Sequence, residues 1–386
     1  MSKSSSHAPS ERFHFPNSPA LWHDKGQPRS LGCQACPHLA LCGGINVEQI
    51  AYDCLSFCRC SDPASCDNVC PNNLDHMVAR LMEVQGFDLS NVPSAPPLET
   101  PLLPPIVPLL YHCGGRVRAP TVSTVALSLY GVIGKRNNRI PFATRHDLLE
   151  HFKLAADTTI VLSGTHDDRP LERLWSIANP QEVMHAVREL GVRLITTPNF
   201  SLFDDVPRHD NLFNMKRIAR VWSEIQNAGI PCALHLNART DRDWERWTTF
   251  LKDHPEIAFV AFEFGTGAGA ASRTAWYVDQ LRRLAGEVAR PLNLVMRGGL
   301  GDLRGLAAAF SRVTVIETSA FVRAQNRRRI TLKDGKLGWT SSPTLPGVPI
   351  DDLLDANIST LEEYAARTVA PVDAPSDAVN AESAAA

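Results

Sequence analysis

From residue 106 to residue 319, short continuous apolar runs alternate with longer stretches of helical period. The runs are IVPLLYHC (106–113), STVALSLYGVI (123–133), TTIVLSGT (158–165), VRLITTPNF (192–200), IPCALHLN (230–237), IAFVAFEFG (257–265), PLNLVMRGG (291–299) and RVTVIETS (312–319). Runs this short and this rich in β-branched residues predict strands, and their unbroken apolarity predicts burial on both faces, as a parallel sheet requires. Helices are predicted between them at 145–155, 171–190, 210–228, 240–253, 271–288 and 302–310, with Asp241 capping one and Ala228-Gly229 closing another. Eight such strands with interleaved helices predict an α/β (β/α)8-type (TIM-like) barrel. Only GGRVRAPTV separates the first two runs, so that crossover lacks a helix. A doubly wound open sheet is the alternative, but no GxGxxG follows an early strand.

Outside this rhythm the chain divides by composition. Residues 1–30 form a polar arm, 31–88 a cysteine-rich module with a short helix at 76–86, and 89–105 a proline-rich linker that proline stiffness keeps extended. The barrel is expected at 106–325. Residues 326–368 are expected to form a hairpin turning at Lys333-Asp334-Gly335-Lys336 and a terminal helix, and 369–386 a disordered tail. The 386 residues carry a net charge of −2, so nothing in bulk draws the chain to nucleic acid, and any such contact must be a local patch. No apolar run reaches the length of a membrane span, and the N-terminus lacks a signal-peptide core. The expected compartment is therefore the cytoplasm.

That expectation bears on the cysteines. Eight of the ten (Cys33, Cys36, Cys42, Cys54, Cys58, Cys60, Cys66 and Cys70) fall between residues 33 and 70. In a reducing compartment thiols at this density point to metal rather than to disulfides. Thiolates on tight turns hold iron–sulfur clusters or zinc. The uneven spacing and the prolines after Cys36 and Cys70 suit one or two 4Fe-4S clusters, and zinc is the alternative. Such a module would serve either as a redox site or as a staple for a region without its own core.

In a barrel of this class the reacting groups sit at the C-terminal ends of the strands. Those ends hold Asp167 and Asp168 with Glu172 just beyond, then Asn199, Ser201 and Asp205, then His235 and Asn237, Glu263, Arg297 and Glu317. A charge within a buried strand is paired or functional, which singles out Asp167, Asp168, Asp205, His235, Glu263, Arg297 and Glu317 as candidates for acid–base or nucleophilic chemistry. Each also has a plainer reading: an exposed helix cap, a core histidine, or a structural Glu263–Arg297 pair. Gly298, Gly299 and Gly301 ahead of a helix could cradle an anion or could simply turn the chain. Arg323, Arg327, Arg328 and Arg329 could contact phosphate or form an ordinary solvated surface.

Three stretches resemble known families. LITTPNFSLFDDVPRHDNLFNMKRIARVWSEIQNAGIPCALHLN, with HDDRPLERLW upstream, resembles an uncharacterised family of phage and bacterial proteins over residues 158–265. Its hallmarks are PDFSLY, a DMP-like turn and DD-x-x-x-E-x-x-W, matched here by Pro198 to Phe203, by Asp205 to Pro207, and by Asp167, Asp168, Glu172 and Trp175. Asn199 stands where that family has Asp. The resemblance implies a phage or mobile-element association and no established activity. RGGLGDLRGL, a helix and VIETSAFVRAQNRR are similar to the last barrel segment of the tRNA-guanine transglycosylases and their DNA-modifying relatives. That similarity would put Glu317 at the nucleophile's place, where the family uses Asp, although the family's C-terminal zinc motif is missing. CQACPHLALCGG resembles the auxiliary iron–sulfur segment of radical-SAM enzymes. Their C-x3-C-x2-C signature is absent, CLSFCRC being one residue short, so radical chemistry is not expected.

These observations leave two functional classes. One is a barrel enzyme, transglycosylase-like, acting on a nucleic acid base or nucleoside and carrying a cysteine-bound cofactor. The other is a non-catalytic protein that binds nucleic acid or a protein partner and uses its metal cluster as a redox sensor or accessory subunit.

Overall fold

A computed structural model describes residues 80, 82–134, 140–202, 208–265 and 271–369. The eight clustered cysteines, the polar arm, residues 76–79 and 81 of the helix expected at 76–86, Asp205 and residues 370–386 of the expected tail lie outside the described residues.

Eight parallel strands close into a barrel in sequential order. They are β1 (Ile106–Leu110), β2 (Thr124–Ser128), β3 (Thr159–Ser163), β4 (Leu194–Thr196), β5 (Cys232–His235), β6 (Phe259–Glu263), β7 (Asn293–Arg297) and β8 (Arg312–Glu317), with β8 pairing back to β1. All eight predicted runs supply a strand. The crossover helices are α1 (Leu129–Ile133), α2 (Arg145–Phe152), α3 (Asp168–Trp175), α4 (Pro180–Glu189), α5 (Arg208–Asn227), α6 (Asp241–Asp253), α7 (Ala271–Val288), α8 (Leu303–Ala307) and α9 (Ser319–Gln325). No helix joins β1 to β2, as the short intervening sequence predicts. A hairpin, β9 (Arg328–Lys333) and β10 (Lys336–Ser341), and α10 (Asp351–Val369) complete the fold.

Three local expectations are corrected. The apolar run at 123–133 does not continue as a strand: Leu129–Ile133 turn helical after Ser128. The helix expected at 171–190 is two, because Pro180 cannot donate within a helix and instead occupies the first turn of α4. Thr240, not Asp241, caps α6. Its hydroxyl accepts from the Asp243 amide while the Asp243 carboxylate accepts from the Thr240 amide.

Side-chain alternation sorts the strands into two cores. Val107, Leu109, Ala126, Val161, Leu194, Ala233, Phe259, Ala261, Val295 and Ile316 fill the lumen, and Leu103 joins them from just before β1. The opposite faces pack under the helices around Trp222, Trp244 and Trp247, all fully buried. The proline-rich stretch is extended and runs along α5. Proline cannot donate a hydrogen bond, and the carbonyls there are satisfied by helix side chains: Ser223 donates to Pro93 (2.8 Å) and Gln226 to Pro96 (3.1 Å). Lys216 reaches Asp88 and Asn91, and burial lowers its amine to a pKa of about 8.

The hairpin is docked by one buried side chain. Asn357 of α10 accepts from the Ile330 amide (2.8 Å) and donates to the carbonyls of Arg328 (3.0 Å) and Ala320 (3.4 Å). Asn357→Ala strands two buried backbone groups, the Ile330 amide and the Ala320 carbonyl, each costing about 1–3 kcal/mol, while the partly buried Arg328 carbonyl can turn to water. The expected result is a loss of about 2–4 kcal/mol in urea unfolding, with β9 amides exchanging before the barrel. Wild-type stability in that variant would show that the hairpin is held by packing alone.

Candidate active site at the barrel mouth

Following the lumen-facing positions to the C-terminal ends of the strands, the apolar lining gives way to polar groups. Ala126 is followed by Ser128, Val161 by Ser163, Leu194 by Thr196, Ala233 by His235, Ala261 by Glu263 and Val295 by Arg297, each two residues on and hence on the same face. Six strands thus present one polar side chain each to the mouth. Strand register sets Ser128 beside Ser163 and Glu263 beside Arg297.

Glu263 and Arg297 form the charged centre. Arg297 Nε lies 3.6 Å from Glu263 Oε2, and its two Nη atoms donate to the Thr165 carbonyl and to the Tyr111 hydroxyl, both at 3.2 Å. Glu263 Oε1 accepts from the Gly265 amide at 2.6 Å. The carboxylate is 5% exposed and the guanidinium side chain 24%, so the pair is buried on the carboxylate side and open on the other. Burial pushes the Glu263 carboxyl above its ordinary value; Arg297, the Gly265 amide and Thr165 oppose this but do not cancel it. His235 lies deeper. Burial first, and the Arg297 charge second, push its imidazole down to about 3, so it is neutral. Among the described residues, Ser128 Oγ, Ser163 Oγ, His235 Nδ1 and Glu263 Oε2 are all buried without a hydrogen-bond partner. Four such atoms on lumen-facing side chains at one end of the barrel gather hydrogen-bonding capacity at the mouth, where a packed apolar core would place none.

The backbone around the mouth is fitted closely. A Cβ at Gly164 would lie 2.3 Å from the Thr196 carbonyl, so only glycine lets β3 pass there. The Gly164 carbonyl accepts from Tyr130 at 2.7 Å. Gly299 has φ +68, and a Cβ on it would sit 2.5 Å from the Phe264 ring.

The remaining candidates are distributed as follows. Asp167 is 97% exposed and precedes α3 without a capping hydrogen bond. Asp168 accepts from Ser201 at 2.8 Å, and Asn214 donates to the Ser201 carbonyl at 2.6 Å. Nearby, Arg217 makes a bidentate pair with Glu172 (2.9 and 2.6 Å) and lies over Phe200, Trp175 and Phe213, at 3.8, 4.9 and 5.0 Å from their centroids. Asp168, Glu172, Trp175, Phe200 and Ser201 therefore meet in one clamp joining the loops after β3 and β4. The same clamp holds the incoming chain, since Arg80 pairs with Asp210 and Trp175 donates to Glu83. Glu317 is not brought to the mouth. It shares the face of Val313 and Val315, away from Ile316 and the lumen, and its carboxylate accepts from the Ser319 amide and hydroxyl at the start of α9. Gly298 and Gly299 adopt left-handed backbone before a single 3-10 turn, and Gly301 has open space about it. Arg323 stacks on Trp339, so its guanidinium is committed to the hairpin. Among the described residues no group of three His, Cys, Asp or Glu side chains is placed to hold a metal ion. No helix there is long and apolar enough to cross a membrane.

Tyr111, Ser128, Ser163 and Thr165 are not singled out by a search of the strand ends for charge. Alternation alone selects the two serines once Ala126 and Val161 are known to face the lumen. Two surface clefts, of about 510 and 280 Å³, lie elsewhere, one between α7 and α8 and one between α10 and the segments leading into β1 and β2. Neither includes a residue of the mouth.

The chain is thus a (β/α)8 barrel with a buried carboxylate–guanidinium pair at its mouth. No protein-family model matches it, and no curated protein does. Among solved structures, a Burkholderia cenocepacia J2315 protein provisionally described as a lyase/mutase aligns at 18% identity and a TM-score of 0.33, covering 67% of this chain and 91% of that one. A provisionally described phosphonomutase of the same organism aligns at 13% and 0.32, covering 58% and 89%. The barrel assignment rests on the strand pairing itself.

The two buried titrations have opposite signs. A raised folded value means that Glu263 favours the folded state most below its ordinary 4.5, and its contribution falls as pH rises from 4.5 through the folded value. A depressed value means that the contribution of His235 is complete above 6.5 and is lost as pH falls from 6.5 toward about 3. In urea unfolding across this range, Glu263→Gln is expected to remove the decline on the rising side, and His235→Gln the decline on the acid side. Profiles parallel to wild type would show that neither group is perturbed.

Proposed function

We propose that this barrel is an enzyme that breaks or exchanges the glycosidic bond of a nucleobase, with Glu263 as its proton donor. The observation that carries the reading is the Glu263–Arg297 pair: a buried carboxyl with a raised pKa, one oxygen ion-paired but without a hydrogen bond, among inward-facing hydroxyls and a neutral imidazole. A carboxyl that holds its proton more tightly than an ordinary one is better suited to protonating a leaving group. Hydroxyls, a carboxyl and an imidazole nitrogen offer both donors and acceptors, which suits the edge of a planar heterocycle.

In this scheme Glu263 gives its proton to a ring nitrogen of the base as the C1′–N bond opens and the bonding electrons leave with the base. Arg297 stabilises the carboxylate left behind. Water or an incoming base then adds to C1′, and Glu263 recovers the proton that the newcomer releases. Glu317, on the outer face, has no part in it. Asp168 holds the loops in place through Ser201.

We further propose that Cys33, Cys36, Cys42, Cys54, Cys58, Cys60, Cys66 and Cys70 bind one or two 4Fe-4S clusters, with zinc as the alternative. A short tether supports a location near the mouth: Cys70 precedes Arg80 by ten residues, at most about 35 Å of extended chain, and Arg80 is fixed in the clamp beside the β3 and β4 loops.

Nucleic acid labelled in each base in turn provides the test of the first proposal. Glu263→Gln should lower base release or exchange by about 100-fold or more while preserving the circular dichroism of the wild type. Equal turnover by the two proteins would remove Glu263 from the chemistry. For the cysteines, anaerobically purified protein should absorb near ~400 nm and contain iron and sulfide, both lost on Cys33→Ser/Cys36→Ser. Colourless protein containing zinc would replace the cluster with a zinc site.

A further inference from the structure

The hairpin β9–β10 turns through Asp334 (φ 50) and Gly335 (φ 72), the left-handed pair that a two-residue hairpin turn of matching twist demands. Its register fixes two faces. Ile330 opposite Trp339 and Leu332 opposite Leu337 make the inner one, which packs on the barrel. Arg329 opposite Thr340, Thr331 opposite Gly338, and Lys333 opposite Lys336 make the outer one. Arg329, Lys333, Lys336 and Thr340 are exposed. The RRR run therefore divides. Arg327 donates to the Val348 and Pro349 carbonyls, Arg328 lies on the inner side of the ribbon, and only Arg329 joins the outer face.

This face is unusual in two respects. Among the described residues none of its three cations has a carboxylate partner, although acids outnumber bases in the chain as a whole. Two of them, Lys333 and Lys336, stand directly opposite each other, an arrangement that destabilises a ribbon unless an anion lies between them. Gly338 leaves the middle of the face low, with the Thr331 hydroxyl beside it. Arg329 and Lys333 are four residues apart along one strand, roughly 13 Å, or about four base-pair rises of 3.4 Å.

We propose that this outer face, through Arg329, Lys333 and Lys336 with the Thr331 and Thr340 hydroxyls, grips the sugar–phosphate backbone of a nucleic acid duplex. Charge complementarity selects the partner. Three unpaired cations and two hydroxyls, with no apolar side chain exposed between them, match a line of phosphates and offer nothing to an apolar protein surface. The hairpin is pinned to α10 by Asn357, so the cations sit on a rigid platform. The inference rests on the nucleobase reading above and supplies what that reading lacks: a contact that holds the polymer while one base reaches the mouth.

The test measures binding of the full chain to labelled DNA and RNA duplexes of about 20 base pairs, at salt from about 50 to 200 mM. Arg329→Gln/Lys333→Gln/Lys336→Gln should weaken binding about 10-fold or more at the lowest salt. It should also reduce the salt slope by about 2–3, near 0.9 for each phosphate that is no longer neutralised. A charge-matched control, Arg193→Gln/Lys252→Gln/Arg312→Gln, changes exposed residues near the opposite end of the barrel and should leave the slope unchanged. Whichever duplex responds identifies the polymer. Equal effects of the two triple variants, or no duplex binding at the lowest salt, would overturn the proposal. Glu263→Gln separates the two readings. If it abolishes base turnover while the hairpin variant binds normally, the mouth chemistry stands and the hairpin proposal falls. If it is fully active while the hairpin variant loses binding, the reverse holds.

Discussion

Closing eight parallel strands into a ring divides every strand into lumen-facing and helix-facing residues, and no side chain can belong to both. The rest of the molecule follows from that constraint. The lumen below the mouth is filled by small and branched apolar groups from Val107 to Ile316, which leaves no space for chemistry there. Chemistry is confined to the last inward position of each strand, where the packing of layers ends and loops begin. A carboxylate at such a position meets a low dielectric on one side and solvent on the other. Glu263 is held in that gradient, with Arg297 near enough to stabilise its anion but at 3.6 Å, longer than a close charge-assisted hydrogen bond.

The same constraint separates residues that look equivalent in the sequence. Glu263 and Glu317 both end apolar strands, and both are buried. One residue of phase places Glu263 in line with Ala261 inside the ring and Glu317 in line with Val315 outside it. Their surroundings differ accordingly: the first meets a guanidinium and the Gly265 amide, the second the amide and hydroxyl of Ser319. The resemblance of the 297–329 segment to transglycosylase barrels would have put the nucleophile at Glu317. The geometry leaves that position as a helix-terminal acceptor.

Much of the fold is legible in the chain because eight apolar runs of strand length separated by helical periods admit few closed arrangements. The boundaries are harder to read where local chemistry overrides the pattern. Leu129–Ile133 is apolar enough to be a strand, yet it bends away once Ser128 has reached the mouth. Thr240 displaces Asp241 as a cap because only the residue three before Asp243 completes the reciprocal pair. At the site, charge within a strand points to His235, Glu263 and Arg297, the residues that face the mouth, because burying such groups is costly enough to leave a mark in sequence. Ser128 and Ser163 leave no such mark. A hydroxyl at a strand end is ordinary until the strand's phase is known, and a single strand of five residues does not reveal which of its faces points inward.

The clamp around Arg217 shows why a recognisable motif need not be a catalytic one. Asp168, Glu172, Trp175, Phe200 and Ser201 are separated in sequence by the α3–α4 segment and β4, yet all converge on two ties between neighbouring loops. A buried guanidinium is tolerated only when its charge is met, and Glu172 meets it with two hydrogen bonds while three aromatic rings face its planes. Losing Glu172 would leave the Arg217 charge uncompensated and losing Trp175 or Phe200 would open one of its faces, while Asp168 and Ser201 tie the two loops through their own hydrogen bond. Because Trp175 also takes hold of Glu83, and Phe213 of Arg80, the clamp couples the loops flanking the mouth to the chain emerging from the cysteine-rich segment. It fixes Arg80 and Glu83 against the loops that flank the mouth.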